Sequence, residues 1–401
     1  MRRAVRAALA IVLFAAAGCG LQLVGTGDSG HLSENPTDAT VDGAGDDAGH
    51  DVDGSTTDRD AAKPDVSAPD AIADAGCDAD FTTNAQNCGG CGHDCLGGTC
   101  SDGTCAPVVL ASGLDRPYYV AVSSAHVYAT DYGHGKVIRI AVPHGNSPET
   151  FAEGLSTPLR IVLSSDQAYY ETSNAVRRCS LTTSLPCPSG GSIVRSGLSN
   201  PRGLALDATR VFFTDNGDIY QSLPDGGSWT PIQSADTLWV MGIASDGTTV
   251  FFTDRYGNQV FKCSAATGCN NFPSTVAQGQ LNPDAIVVYK NMLYWTARGT
   301  TGNFTDGAIR ACNTSSCTSP IDIATNQFSP GEVAVDDSGI YWTVYGDGTT
   351  QGTVLTCPLT GCSGAPRVVA MAQAGPWGIA VDQTAVYWVN YDGGQLMKVA
   401  K

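Results

Sequence analysis

The chain has 401 residues, a formal net charge of −17 and only 15% charged side chains, with 47 glycines, 20 prolines and 15 cysteines. That acidity excludes the basic footprint of a nucleic-acid-binding protein, and so many cysteines exclude an ordinary reducing cytosol. No apolar run reaches the ~18 residues that a membrane-spanning helix needs.

The opening MRRAVRAALAIVLFAAAGCG sets Arg2, Arg3 and Arg6 ahead of an apolar stretch, Ala7 to Ala17, which ends at Gly18 and Cys19. A basic start, a short apolar run and a small-residue ending predict an export signal over residues 1–19, with no structural helix. The ending Ala16-Ala17-Gly18-Cys19 resembles a bacterial lipobox. The resemblance implies cleavage before Cys19 and a diacylglycerol on its thiol. Gly20 at the next position implies, by the same resemblance, an outer-membrane lipoprotein facing the periplasm or the surface.

Residues 20–76 contain no aromatic side chain, and thirteen carboxylates from Asp28 to Asp74 face only Arg59 and Lys63. Such a segment cannot bury enough apolar area to fold, and its charges repel one another into an extended acidic linker. Within it GHDVDGSTTDRD echoes a calcium loop, but Gly49 stands where the first carboxylate belongs.

Residues 77–106 carry six cysteines, Cys77, Cys88, Cys91, Cys95, Cys100 and Cys105, in a stretch too short for a core and too rich in glycine for a helix. In an oxidising compartment an even set predicts a knot of three disulfides, with 15 connectivities open. A zinc site of Cys88, Cys91 and His93 is the competing reading. The spacing resembles the NCGxCGxxC modules of stigma-specific-type secreted proteins.

Eight further cysteines form four local pairs: Cys179 with Cys187, Cys263 with Cys269, Cys312 with Cys317, and Cys357 with Cys362. Each pair is expected just after a V-x-R/K-type strand, as a staple worth roughly 2 kcal/mol. None has the C-x-x-C spacing of a reactive thiol.

Beyond Ala106 one eight-residue frame recurs as LASGLDRP, FAEGLSTP, VRSGLSNP, QSADTLWV, VAQGQLNP, IATNQFSP and VAMAQAGP. Successive frames lie 41, 43, 39, 43, 47 and 46 residues apart, near the period of four-stranded propeller blades. After each frame come an apolar strand, an aromatic strand such as VYATD, VFFTD or IYWTV, and a third strand with V-x-R/K character. All are β-branched or aromatic and Gly-punctuated, with no helical period between them. The last repeat has three strands and stops at Lys401, whereas Val108 to Ala111 has no blade before it. Pairing that strand beside Gln395 to Val399 covers a bare sheet edge and predicts an all-β, seven-bladed β-propeller over residues 107–401, closed by an N-terminal outer strand.

The aromatic motifs resemble the YWTD and NHL repeat families, with TD kept at Thr130-Asp131, Thr214-Asp215 and Thr253-Asp254. Seven blades depart from the six usual in YWTD rings and match streptogramin-lyase-like rings better. Lyases of that type need a Glu with two histidines on a late blade, yet this chain's propeller histidines, His126, His134 and His144, all lie in the first repeat. Lactonase-type rings hold calcium with inward carboxylates; Glu332 and Asp284 supply two such groups and their neighbours do not complete the set. Catalysis is therefore the weaker expectation, and neither a metal nor a cofactor is expected.

Propeller ligands sit where the loop leading into the innermost strand delivers side chains to the channel mouth. The residues just after each frame are Tyr118, Tyr119, Arg160, Arg202, Met241, Asp284, Glu332 and Trp377, with Trp239 just before one of them. Two cations, two carboxylates and four aromatics around one ring suit a polar, partly apolar ligand such as a glycan, peptide or protein. The reading is a monomeric binding protein that meets the membrane only through its lipid; a calcium-dependent hydrolase or lyase and a structural cell-envelope role are the alternatives.

Overall fold

The computed structural model describes residues 80–142, 147–234, 238–302, 304–346 and 351–401. The signal segment, Cys19, the acidic linker, Cys77 and His144 lie outside the described residues. β-branched and aromatic runs broken by Gly and Asp turns pair into seven four-stranded antiparallel sheets, alongside a two-stranded hairpin, Cys100–Ser101 with Thr104–Cys105. Blade 1 holds Pro117–Val122, His126–Asp131, Lys136–Ala141 and Glu149–Ala152 as strands A to D. Blades 2 to 6 repeat this order over residues 161–196, 204–233, 240–278, 283–327 and 330–373. The only helical element among the described residues is a 3-10 turn, Pro188–Gly190.

Blade 7 takes strands A to C from Pro376–Val381, Ala385–Asn390 and Gln395–Ala400, and its strand D is Val108–Ala111. Val108 stands opposite Lys398 and Val109 opposite Met397, so the expected closure by the N-terminal strand is observed. Each strand A packs on strand A of the next blade around the whole ring, which places the A strands on the axis. Such close approach needs glycine: a Cβ on Gly242 would meet the Asp284 carbonyl at 2.3 Å, and one on Gly378 would meet Tyr118 O at 2.7 Å.

The core lies between blades. Phe212 and Ile219 of blade 3 pack with Val250 and Phe252 of blade 4, and Tyr341 of blade 6 packs with Trp388 of blade 7. Strand B therefore reads aromatic because both its faces are covered, and Trp295, Trp342 and Trp388 are fully buried. Their indole N–H groups need acceptors, and the frame supplies them: Gln280 Oε1 at 3.0 Å, Gln327 Oε1 at 3.2 Å and Gln373 Oε1 at 3.0 Å. Blades 1, 3 and 4 tie the same loop differently. There the Asp of each TD pair accepts a backbone N–H from the frame, with Asp115 N to Asp131 at 2.9 Å, Asn200 N to Asp215 at 2.7 Å and Trp239 N to Asp254 at 3.0 Å.

All four local disulfides form as expected. The strand C run includes the first cysteine of each pair, where the sequence placed it just beyond; Cys179, Cys263, Cys312 and Cys357 turn inward and are buried in the inter-blade core. In the Cys-rich region Cys88 bonds Cys100, Cys95 bonds Cys105, and Cys91 is disulfide-bonded as well. Neither Cys88 nor Cys91 thus offers a thiolate to zinc. Cys88, Cys95 and Cys105 share one apolar cluster with Val386, Trp388 and Val399, and Lys398 donates its Nζ proton to Leu96 O at 2.7 Å. The module is packed on blade 7, where the ring closes. These disulfides mark an extracellular or exported protein, and among the described residues no helix is long and apolar enough to cross a membrane.

Candidate binding site at the channel mouth

Register explains why side chains converge at one end of the channel. In blade 1 Pro117 opposes Asp131 and Val120 opposes Ala129, which leaves Tyr118 and Tyr119 across from Thr130 alone. The same β-bulge recurs at Met241 and Gly242, at Asp284 and Ala285, at Gly331 and Glu332, and at Trp377 and Gly378. A bulge drops one N–H from the ladder and re-aims the neighbouring side chains. Threonine hydroxyls take the stray N–H groups: Tyr119 N to Thr130 Oγ1 at 2.9 Å, Gly242 N to Thr253 at 2.9 Å, Ala285 N to Thr296 at 3.1 Å and Glu332 N to Thr343 at 3.2 Å. Two of these hydroxyls then donate to the next blade, Thr253 to Asp284 O at 2.8 Å and Thr343 to Trp377 O at 2.7 Å. The threonine of the aromatic motif, whether or not an aspartate follows it, is thus a clamp that holds the mouth residues in place.

Blade 2 carries Glu171 at that position. It is fully buried, and neither carboxylate oxygen has a hydrogen-bond partner among the described residues. Burial pushes its carboxyl up to about 8, against the opposing pull of Arg160 and Arg202.

The predicted residues meet in three groups. Arg160 donates to Glu332 Oε1 at 2.9 Å and Oε2 at 3.3 Å and to the Tyr119 hydroxyl at 2.8 Å, while that hydroxyl donates to Glu332 at 3.0 Å. Burial pushes the Tyr119 hydroxyl well above its ordinary value and the Tyr118 hydroxyl to about 12, so both stay protonated donors. Asp284 is held by Arg255 and, at 3.6 Å, by Arg298, whose guanidinium lies 5.2 Å from the Trp377 ring. Tyr118 packs at 5.7 Å from Trp377 and 5.6 Å from Tyr391. Arg202 donates to Asn200 Oδ1 at 3.1 Å and lies 5.9 Å from the Trp239 ring. It forms no ion pair among the described residues. A cavity of about 340 Å³ opens among blades 1, 2, 3 and 7, lined by Arg116, Tyr118, Tyr132, Asn200, Arg202 and Tyr391 among others. Buried N–H groups of Arg160 Nε, Arg255 Nε and Trp377 Nε1 have no acceptor among the described residues.

Sequence reasoning missed a second ring of mouth residues at the end of strand B: Tyr132, Arg255, Arg298, Tyr345 and Tyr391. The signal is a fixed offset, two residues beyond the clamp position in each aromatic motif. The two carboxylates considered for calcium are already neutralised by arginines, Glu332 by Arg160 and Asp284 by Arg255 and Arg298. Among the described residues the one close grouping of metal-ligating types is Cys88, Cys95 and Cys105, whose sulfurs are in disulfides. The donor set does not fit a calcium ion. Of the histidines, His134 binds Asp131 through Nδ1 at 2.8 Å on blade 1, beside the frame tie.

No family model and no curated protein sequence matches the chain. Among solved structures it is similar to a catalytically inactive virginiamycin B lyase from Staphylococcus aureus with Quinupristin, at TM-score 0.57 and 15% identity, over 74% of this chain and 98% of that one. A streptogramin B lyase gives TM-score 0.56 at 15% identity over 73% and 97%. The computationally designed Ika8 protein gives TM-score 0.51 at 12% identity over 73% and 98%. At such identities the likeness is one of fold: a seven-bladed β-propeller carrying a cysteine-rich region.

Proposed function

We propose that this chain is an exported binding protein, anchored by a lipid on Cys19, that takes a ligand at the channel mouth through Tyr118, Arg160, Arg202, Trp239, Asp284, Glu332 and Trp377. The observation that carries the reading is a cavity at the mouth where the bulged strand A residue Tyr118 meets Arg202, a guanidinium with no carboxylate partner among the described residues. Partly buried, unpaired cations and indole N–H groups are poorly solvated, and a ligand that supplies acceptors gains from them. The outer-membrane address is supported by the signal and lipobox residues, and the acidic linker would hold the ring away from the bilayer. Labelled fatty acid incorporated into the wild type and absent from Cys19→Ser is the expected result for the anchor.

The test of binding is a glycan and peptide array probed with the wild type and with Arg202→Ala/Trp377→Ala. Loss of retention with a melting temperature within a few degrees of wild type supports the mouth site. A double variant that binds as before moves the site elsewhere.

A lyase or hydrolase is the second reading, favoured by the likeness in fold to two lyases and by a buried carboxyl, Glu171, that holds its proton near neutrality. It lacks the late-blade histidines that the streptogramin-lyase resemblance requires. Its calcium-dependent form predicts stoichiometric calcium by elemental analysis, and metal-free protein recovered from calcium-containing buffer rules that form out.

A further inference from the structure

The mouth arginines differ in one respect that narrows the ligand class. Arg116 is matched by Asp115, Arg160 by Glu332, and Arg255 and Arg298 share Asp284, whereas the Arg202 guanidinium faces the 340 Å³ cavity with Asn200 as its one hydrogen-bond partner among the described residues. The nearby Glu171 does not balance it, because burial keeps that carboxyl largely protonated at neutral pH. A guanidinium in such a place is a fork for one planar, bidentate acceptor.

The rest of the cavity is a mixture of flat rings and hydroxyl groups. Tyr118, Tyr132 and Tyr391 present aromatic surface, with Tyr118 and Tyr132 centroids 6.0 Å apart, and Ser173 and Asn200 add polar rim. An aromatic face is electron-rich and packs against C–H groups, while hydroxyl and amide groups along the edge pair with a ring's own hydroxyls. The volume lies in the ~300–1,000 Å³ range of small-ligand sites.

Resting on the mouth-binding reading above, we infer that the cavity among blades 1, 2, 3 and 7 is a subsite for an acidic sugar, a hexuronate residue of a glycan, with its carboxylate on Arg202 and its ring against Tyr118 and Tyr391. A neutral sugar would leave the guanidinium unanswered. A flexible acidic peptide would supply the charge but not a rigid flat face for the tyrosines.

The experiment is calorimetry of the full chain with trigalacturonate, with the uncharged galactose trimer and with triaspartate, at low and high salt. Trigalacturonate is expected to bind at least ~10-fold more tightly than either other probe, with the preference shrinking in high salt. Arg202→Met should abolish that preference without changing the melting temperature, and Arg202→Lys should recover part of it. Equal affinity for the charged and neutral trimers overturns the acidic class and leaves mouth binding standing. Tighter binding of triaspartate overturns the sugar class. Trigalacturonate binding that survives Arg202→Met but is lost in Tyr345→Ala seats the anion outside this cavity, and no binding of trigalacturonate overturns the inference outright. In that last case the array comparison still decides the mouth reading on its own.

Discussion

Blades 5 to 7 and blades 1, 3 and 4 solve one geometric problem with two chemistries. In both groups the frame before strand A must be fastened to the end of strand B so that the bulged mouth residues face the axis. Blades 5 to 7 use a neutral pair, an indole N–H on a glutamine oxygen, and each glutamine also donates Nε2 to a strand carbonyl, at 2.7 Å to Gln278, 2.8 Å to Thr325 and 2.8 Å to Met371. Blades 1, 3 and 4 use an aspartate that accepts frame N–H groups, and Asp215 takes two, from Ser199 at 2.8 Å and Asn200 at 2.7 Å. The indole tie is buried, and the glutamine oxygen takes a further donor from Arg310 in blade 5 and from Asn390 in blade 7, so it depends on volume as much as on hydrogen bonds. In the aspartate tie Asp131 and Asp254 are as buried as the glutamines and Asp215 is half-buried, and what each contributes is mostly the capture of backbone donors.

Removing the indole should break this comparison most visibly. Trp342→Ala leaves a large void and strands Gln327, and a loss of about 3–5 kcal/mol in urea denaturation is expected. Blade 2 sharpens the contrast, because Glu171 occupies the clamp position without a partner. Its folded-state value is raised from the ordinary 4.5 to about 8, so the native state keeps a proton that the unfolded chain releases. Stability should therefore fall as pH rises across that window, by on the order of 5 kcal/mol in total. Melting curves of Glu171→Gln against wild type between those limits check this; the variant should flatten the slope, and an unchanged slope would mean that another group titrates. The smallest effect is expected at an aspartate tie: Asp215→Ala should lose about 1–2 kcal/mol, since the two N–H groups it leaves can reach water.

Blade period, strand pattern and ring closure are all legible in the sequence, because the frame recurs at blade spacing and the last repeat lacks one strand that Val108 to Ala111 supplies. The inner ring is legible for the same reason: the residues after each frame proline sit at a fixed place in strand A. The bulge that turns them inward is not, since spacing along one strand does not show its register against another. Arg255 and Arg298 were hidden beside motifs whose aromatic residues read as core, although both occupy the same offset from a threonine. The pairing of Arg160 with Glu332 links blades 2 and 6 across the channel, and no local pattern carries such a contact. Cysteine pairing in the N-terminal module also needed geometry, whereas the four short loops left each cysteine one sensible neighbour.

The most direct test of where this molecule works is a crystal structure of the full chain with the ligand that the array selects. That ligand is expected at the axis end where Tyr118, Arg202 and Trp377 meet, touching at least one guanidinium. A ligand seated instead on the outer D strands, or on the cysteine-rich module, would contradict it.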